Sequence, residues 1–104
     1  MHIGEKYYIN SNLSEKGNYK NGKREGLWII FFEDGQTSYK THYKSGIEDG
    51  LFSSYFSENG NLSLQGIYKG GKREGIWEYY NKTGQLEIID NYKGGRRLYP
   101  PVPK

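Results

Sequence analysis

The stretch KNGKREGLW, residues 20–28, returns as KGGKREGIW at residues 69–77, and KSGIEDGLF at residues 44–52 stands between them with the Lys, both glycines and the large apolar ending kept. The spacing is 24 and then 25 residues. Self-similarity at such a period marks a repeat architecture, in which each unit is one supersecondary element stacked on the next. Aligned on Tyr19, Tyr43, Tyr68 and Tyr92, each copy has a glycine three residues on, at Gly22, Gly46, Gly71 or Gly95. The first three have another at Gly26, Gly50 or Gly75, followed by a large aromatic, Trp28, Phe52 or Trp77. A second aromatic, Phe31, Tyr55 or Tyr80, and a third glycine, Gly35, Gly60 or Gly84, complete the unit.

Composition says what the units are made of. The chain of 104 residues holds 11 Tyr, 4 Phe, 2 Trp and 15 Gly. Aromatics suit a pleated surface and glycines suit tight turns, so the expected class is all-β. Asp34-Gly35, Asn59-Gly60 and Thr83-Gly84 read as hairpin turns between runs of about seven residues. The expectation is a single domain over residues 1–97 built of consecutive antiparallel hairpins. It comprises a degenerate unit (1–18), repeats at about 19–42, 43–67 and 68–91, and a partial copy at 92–97. A Pro-rich tail, residues 98–104, follows, where Pro100, Pro101 and Pro103 cannot donate to a ladder.

Register follows from the turns. A two-residue turn at Asp34-Gly35 sets Phe32 opposite Thr37, Ile30 opposite Tyr39, Trp28 opposite Thr41 and Gly26 opposite Tyr43. Directly opposite residues share a face, so Trp28, Phe52 and Trp77 gather with Tyr19, Tyr43, Tyr68 and Tyr92 as the structural core of the repeat. The middle unit has one residue more before its glycine. A three-residue loop, Glu58-Asn59-Gly60 with the glycine left-handed, keeps Phe52 on the common side, since a slip of one residue would invert every side chain. The opposite face is mixed and includes Leu27, Leu51, Ile76, Lys40 and His42, with an aromatic row at Phe31, Tyr55 and Tyr80. The apolar face must be covered, and curling of the sheet around its own aromatics is expected to do it.

The pattern G-x-Y-x-x-G-x-x-x-G-x-W-x-x-Y-x-x-x-G resembles the MORN repeat (membrane occupation and recognition nexus), in its bacterial variant. Tyr19, Gly22, Gly26, Trp28, Phe31 and Gly35 carry the resemblance, with their equivalents at 43–60 and 68–84, and it spans about residue 17 to 95. The second copy departs from it, with Ile47-Glu48-Asp49 in place of Lys-Arg-Glu. The resemblance implies one elongated, curled sheet of successive hairpins. It also implies an antitoxin or immunity protein that binds and occludes a toxin, because bacterial proteins similar to this are often so described. Eukaryotic relatives imply the alternative, attachment to acidic lipid or scaffolding of complexes.

Chemistry is not expected. With no Cys, neither thiolate catalysis nor a disulfide is available. His2 and His42 have no partner in a metal-ligand spacing, so no metal and no cofactor are expected. Carboxylates are scattered, and Glu25 and Glu74 occupy one repeat position rather than forming an acid/base pair. No enzyme, small-molecule or nucleic-acid function is read from the chain, whose net charge is only +3. The N-terminus, MHIGEKYYIN, has no apolar run of signal-peptide length, and the expected location is cytoplasmic.

Charge is unevenly placed. The segments joining the hairpins hold Lys20, Lys23, Arg24, Lys44, Lys69, Lys72, Arg73, Lys93, Arg96 and Arg97 against Glu25, Glu48, Asp49 and Glu74. Loops at one end of the hairpins would form a basic rim. The candidate partner-binding residues are Lys20, Lys23, Arg24, Lys69, Lys72, Arg73, Arg96 and Arg97 on that rim, with Phe31, Tyr55, Tyr80 and His42 from the mixed face. The expected partner is a protein, a cognate toxin in the sharpest form, with anionic membrane as the alternative. The expected state is a monomer or a homodimer paired through sheet edges.

Overall fold

A computed structural model describes residues 2–98, and its strands alternate with turns at the repeat period. In chain order they are β1 (His2–Tyr7), β2 (Leu13–Lys20), β3 (Lys23–Phe31), β4 (Thr37–Lys44) and β5 (Ile47–Glu48). There follow β6 (Gly50–Tyr55), β7 (Leu62–Lys69), β8 (Lys72–Tyr80), β9 (Leu86–Lys93) and β10 (Arg96–Arg97). Neighbours in sequence are neighbours in space, so the order is β1-β2-β3-β4-β6-β7-β8-β9-β10, with the short β5 also on β4. Every pairing is antiparallel. The result is one open sheet of ten strands, a plate of 44 × 34 × 15 Å. The expected all-β hairpin sheet is present, and it does not close. Beyond Leu98, the Pro-rich tail lies outside the described residues.

Two kinds of turn alternate along the plate. The tight ones are the joints between units. Lys20 pairs with Lys23, Lys44 with Ile47, Lys69 with Lys72 and Lys93 with Arg96, each across two residues. Those two residues both have positive φ, for example 53° at Asn21 and 77° at Gly22. That is the type I′ geometry whose twist matches antiparallel strands, and it explains the NG, SG and GG pairs at the joints.

The turns expected to be tight are longer. The Phe32 N–H donates to Gln36 O at 2.7 Å, and the Gly35 N–H to Phe32 O at 3.0 Å, enclosing the three-residue loop Glu33–Gly35. Asn81 and Gly84 repeat this, as do Tyr8 and Ser11 in the degenerate first unit. A bulge between Ile30 and Phe31 sets Phe31, not Phe32, opposite Thr37. The expected pairs Ile30–Tyr39, Trp28–Thr41 and Gly26–Tyr43 hold. A loop of one extra residue followed by a bulge leaves the distant register unchanged. The middle unit keeps its difference, but its expected three-residue loop is four, residues 57–60: Gly60 N–H reaches Phe56 O at 2.9 Å, so the loop is one residue longer than its neighbours'.

A single layer buries its core within one side-chain depth. Trp28 and Trp77 are the buried hydrophobics, at 1% and 0% exposure. Each lies flat on a glycine of the preceding strand: a Cβ added at Gly17 would fall 2.2 Å from Trp28 Cδ2, and one at Gly66 2.1 Å from Trp77 Cδ2. Tyrosines stand edge-on at either side, Tyr19 at 5.1 Å and Tyr43 at 6.4 Å from Trp28, Tyr68 at 5.0 Å and Tyr92 at 6.4 Å from Trp77. Phe52 bridges between units, 5.7 Å from Trp77 and 5.6 Å from Tyr39. Glycine supplies the floor and the tyrosines the walls, and burial of this stack replaces a second layer.

Candidate interaction surface

The roof over each tryptophan comes from KREG, which is strand rather than loop. Arg24 sets its guanidinium 4.2 Å from the Trp28 ring centroid, and Arg73 does the same over Trp77. Arg24 also bonds Glu15 Oε1 at 2.5 Å, while Arg73 donates to Tyr79 Oη at 2.9 Å and to Tyr92 Oη at 3.3 Å. Partial burial alone would lower the Arg73 pKa, but hydrogen bonds to Tyr79 and Tyr68 outweigh it and the net shift is upward. Arg24 behaves alike: burial works to lower its pKa, and the negative charge of Glu15, aided by Tyr43, turns the net shift upward. Arg24 and Arg73 therefore close the aromatic face and do not project from a rim. In the middle copy Glu48 takes this place and Thr41 donates to it at 3.3 Å, beside Phe52 rather than Trp.

The Glu of KREG holds the next joint. Ser45 N–H donates to Glu25 Oε1 at 2.9 Å, Gly70 N–H to Asp49 Oδ2 at 3.3 Å, and Gly94 N–H to Glu74 Oε1 at 2.8 Å. These carboxylates are engaged by backbone. The cations around them are not. Among the described residues, Lys20 and Lys23 at the first joint, Lys44 at the second, Lys69 and Lys72 at the third and Lys93 and Arg96 at the fourth have no carboxylate within salt-bridge distance. All are exposed. Cross-joint partners share a face, and alternation from Lys16, Asn18 and Lys20 on β2 puts this cation row on the face opposite Trp28.

That second face carries an uncovered aliphatic band. Ile3 pairs with Asn18 on β1 and β2, Leu27 with His42 on β3 and β4, and Leu51 with Ile67 on β6 and β7. Ile76 on β8 continues the line, paired with Asn91. Ile3, Leu27, Leu51, Ile67 and Ile76 are 43–65% exposed. The band crosses the strands about 7 Å, two residues, from the cation row. His42 sits within it, its Nδ1 2.9 Å from Leu51 O.

The other candidates scatter. Phe31, Tyr55 and Tyr80 lie half-buried on this face but toward the long-loop end. Lys40 Nζ is 5.8 Å from the Tyr55 ring, and Tyr80 Oη accepts from Gln65 Nε2 at 3.1 Å. Arg97 faces Asp90 at 3.6 Å. Lys20, Lys23, Lys69, Lys72 and Arg96 are brought together with the band, whereas Arg24, Arg73 and Arg97 are not. Sequence reasoning places Leu27, Leu51 and Ile76, each one residue before a large aromatic, on this face, but does not join them with Ile3 and Ile67 into a band. Among the described residues no cluster of His, Cys, Asp and Glu could hold a metal ion.

These features define a single-sheet hairpin-repeat protein with one face closed by its own side chains and one left open. The repeat can be specified: residues 24–45 and 73–93 each match the family model described as MORN repeat variant. Residues 46–72, with Glu48, Phe52 and the longer loop of the middle copy, lie outside both matches. Repeats of this type mediate protein or membrane interactions and are not typically enzymatic. No curated protein matches the chain.

Proposed function

We propose that the protein is a non-enzymatic binding module that takes a protein partner on its second face. The aliphatic band beside unpaired cations supports this: an exposed apolar strip on a small protein marks an interaction site. Within that reading, the resemblance to bacterial repeat proteins favours a cytoplasmic antitoxin or immunity protein that occludes a toxin. A second reading, attachment to anionic membrane or a scaffold through the cation row, is favoured by the cations alone. Each such cation contributes about 1 kcal/mol at an anionic surface.

The test is purification of tagged wild-type protein and of Leu51→Asp and Ile76→Asp variants from the native host. One stoichiometric protein is expected with the wild type, lost in both variants while circular dichroism is unchanged. Equal recovery with the variants, or no partner with any form, would overturn the proposal.

A further inference from the structure

We propose that the occupant of the second face is an acidic amphipathic α-helix of about twenty residues laid across the strands, its length set by the strand spacing. This rests on the protein-binding reading above and names the partner's chemistry. The band runs from β1 to β8, about 29 Å at ordinary strand separation, and a helix rising 1.5 Å per residue covers that in roughly 19 residues. One helical turn, about 5.4 Å, is close to one strand spacing of about 4.8 Å, so successive apolar side chains of the helix meet successive strands. The joints recur every two strands, about 10 Å, which is the rise of about seven helical residues. Carboxylates at heptad spacing on one flank would each face a joint, at Lys20 and Lys23, Lys44, or Lys69 and Lys72.

Charge sign fixes the flank. The joint carboxylates Glu25, Asp49 and Glu74 are occupied by turn N–H groups, so the strip presents cations without internal compensation. Beyond the band the charges of the same face cancel, Glu5 paired across the strands with Lys16, and Lys40 paired with Ile29 against Glu78 paired with Gln65. A planar anionic bilayer spread over the face would gain no net attraction from that half. A rod about 10 Å wide touches only the band and the cation row. Extended peptide is less suited, because it would add to a sheet edge rather than cross the strands.

The experiment uses the full chain and a synthetic peptide of about three heptads, with Leu along one stripe and Glu beside it, the helical form expected from such a pattern. Controls are a scrambled peptide of the same composition and one with Lys for Glu. Fluorescence anisotropy is expected to report binding of the Glu peptide alone, weakened about tenfold or more as salt is raised. Leu51→Asp and the pair Lys69→Glu and Lys72→Glu are each expected to weaken it about tenfold, a loss of about 1.4 kcal/mol. Lys82→Glu, at the long-loop end, should leave it unchanged, and amide shifts should map to Leu27, Leu51, Ile67 and Ile76.

Equal binding of the scrambled or Lys peptide, or binding of phosphatidylserine vesicles with none of the peptides, would overturn the inference. Crosslinking of the co-purified native partner separates the two levels. Crosslinks from a helix to Lys44 and Lys69 support both readings. Crosslinks confined to the sheet edges, β1 or β9 and β10, would leave a protein-binding module but refute the helix, and absence of any partner would refute both.

Discussion

Replacing Gly17 or Gly66 by alanine tests the one-layer core at its floor. The added Cβ would lie 2.2 Å from two ring atoms of Trp28, or 2.1 Å from Trp77 Cδ2. Carbon atoms prefer about 3.5–4.0 Å, so the indole must lift by about 1.5 Å. It has little freedom to do so, with Tyr19 and Tyr43 at its edges and Arg24 over its face. Displacing the ring forfeits much of what truncating it would, and Trp→Ala in a core costs about 3–5 kcal/mol. Gly17→Ala and Gly66→Ala are therefore each expected to cost about 3 kcal/mol. With an m-value of about 1–3 kcal/mol/M, the urea midpoint should fall by at least about 1 M, read from tryptophan fluorescence. Gly22→Ala is the internal control: open space surrounds it, and its φ of 77° alone sets the cost, about 1–2 kcal/mol. A loss for Gly17→Ala no larger than for Gly22→Ala would refute the flat-lying tryptophan.

Other perturbations probe the walls and roof. Trp28 Nε1 donates to Asn18 O at 3.1 Å, whereas Trp77 Nε1 has no partner among the described residues. Trp28→Phe should thus cost about 1 kcal/mol more than Trp77→Phe in equilibrium unfolding. Arg73→Met keeps the stem but loses the cation over Trp77, and a destabilisation of about 1 kcal/mol is expected by the same assay. Lys72→Met, one residue away and exposed, should be neutral within about 0.5 kcal/mol. Burial, with Tyr43 nearby, raises the Tyr39 pKa above the ordinary 10. The folded state then holds that proton more tightly, so its contribution is intact below pH 10 and is lost as pH rises through the folded value. Tyr39→Phe should make stability fall less steeply with alkaline pH, as denaturation at stepped pH would reveal.

The repeat period, the all-β class and the register around the tryptophans were legible because alternation and a 24-residue spacing constrain them jointly. Loop lengths were not. Asp-Gly suits a two-residue turn and equally a three-residue loop closed by a left-handed glycine, and only the compensating bulge at Ile30 and Phe31 distinguishes them. KREG was harder, since its charge argues for a solvated loop. Nothing in sequence spacing shows that Arg24 and Arg73 fold back over the indoles two steps of alternation away, nor that Glu25 and Glu74 reach the following joint. The aliphatic band was half legible: Leu27, Leu51 and Ile76 keep the period. Ile3 and Ile67 pair within long-loop hairpins with Asn18 and Leu51, and they reach Leu27 and Ile76 only across joints where positive-φ Gly26 and Gly75 shift the register. Such shifts carry no apolar signature.

The division of labour between the two faces is tested most directly by hydroxyl-radical footprinting of the full chain, alone and with the partner it co-purifies with. Trp28 and Trp77 are expected to stay protected in both states, while Leu27, Leu51, Ile67 and Ile76 are labelled in the free protein and protected in the complex. Protection appearing on the tryptophan face or at the sheet edges, with the band still labelled, would contradict that division.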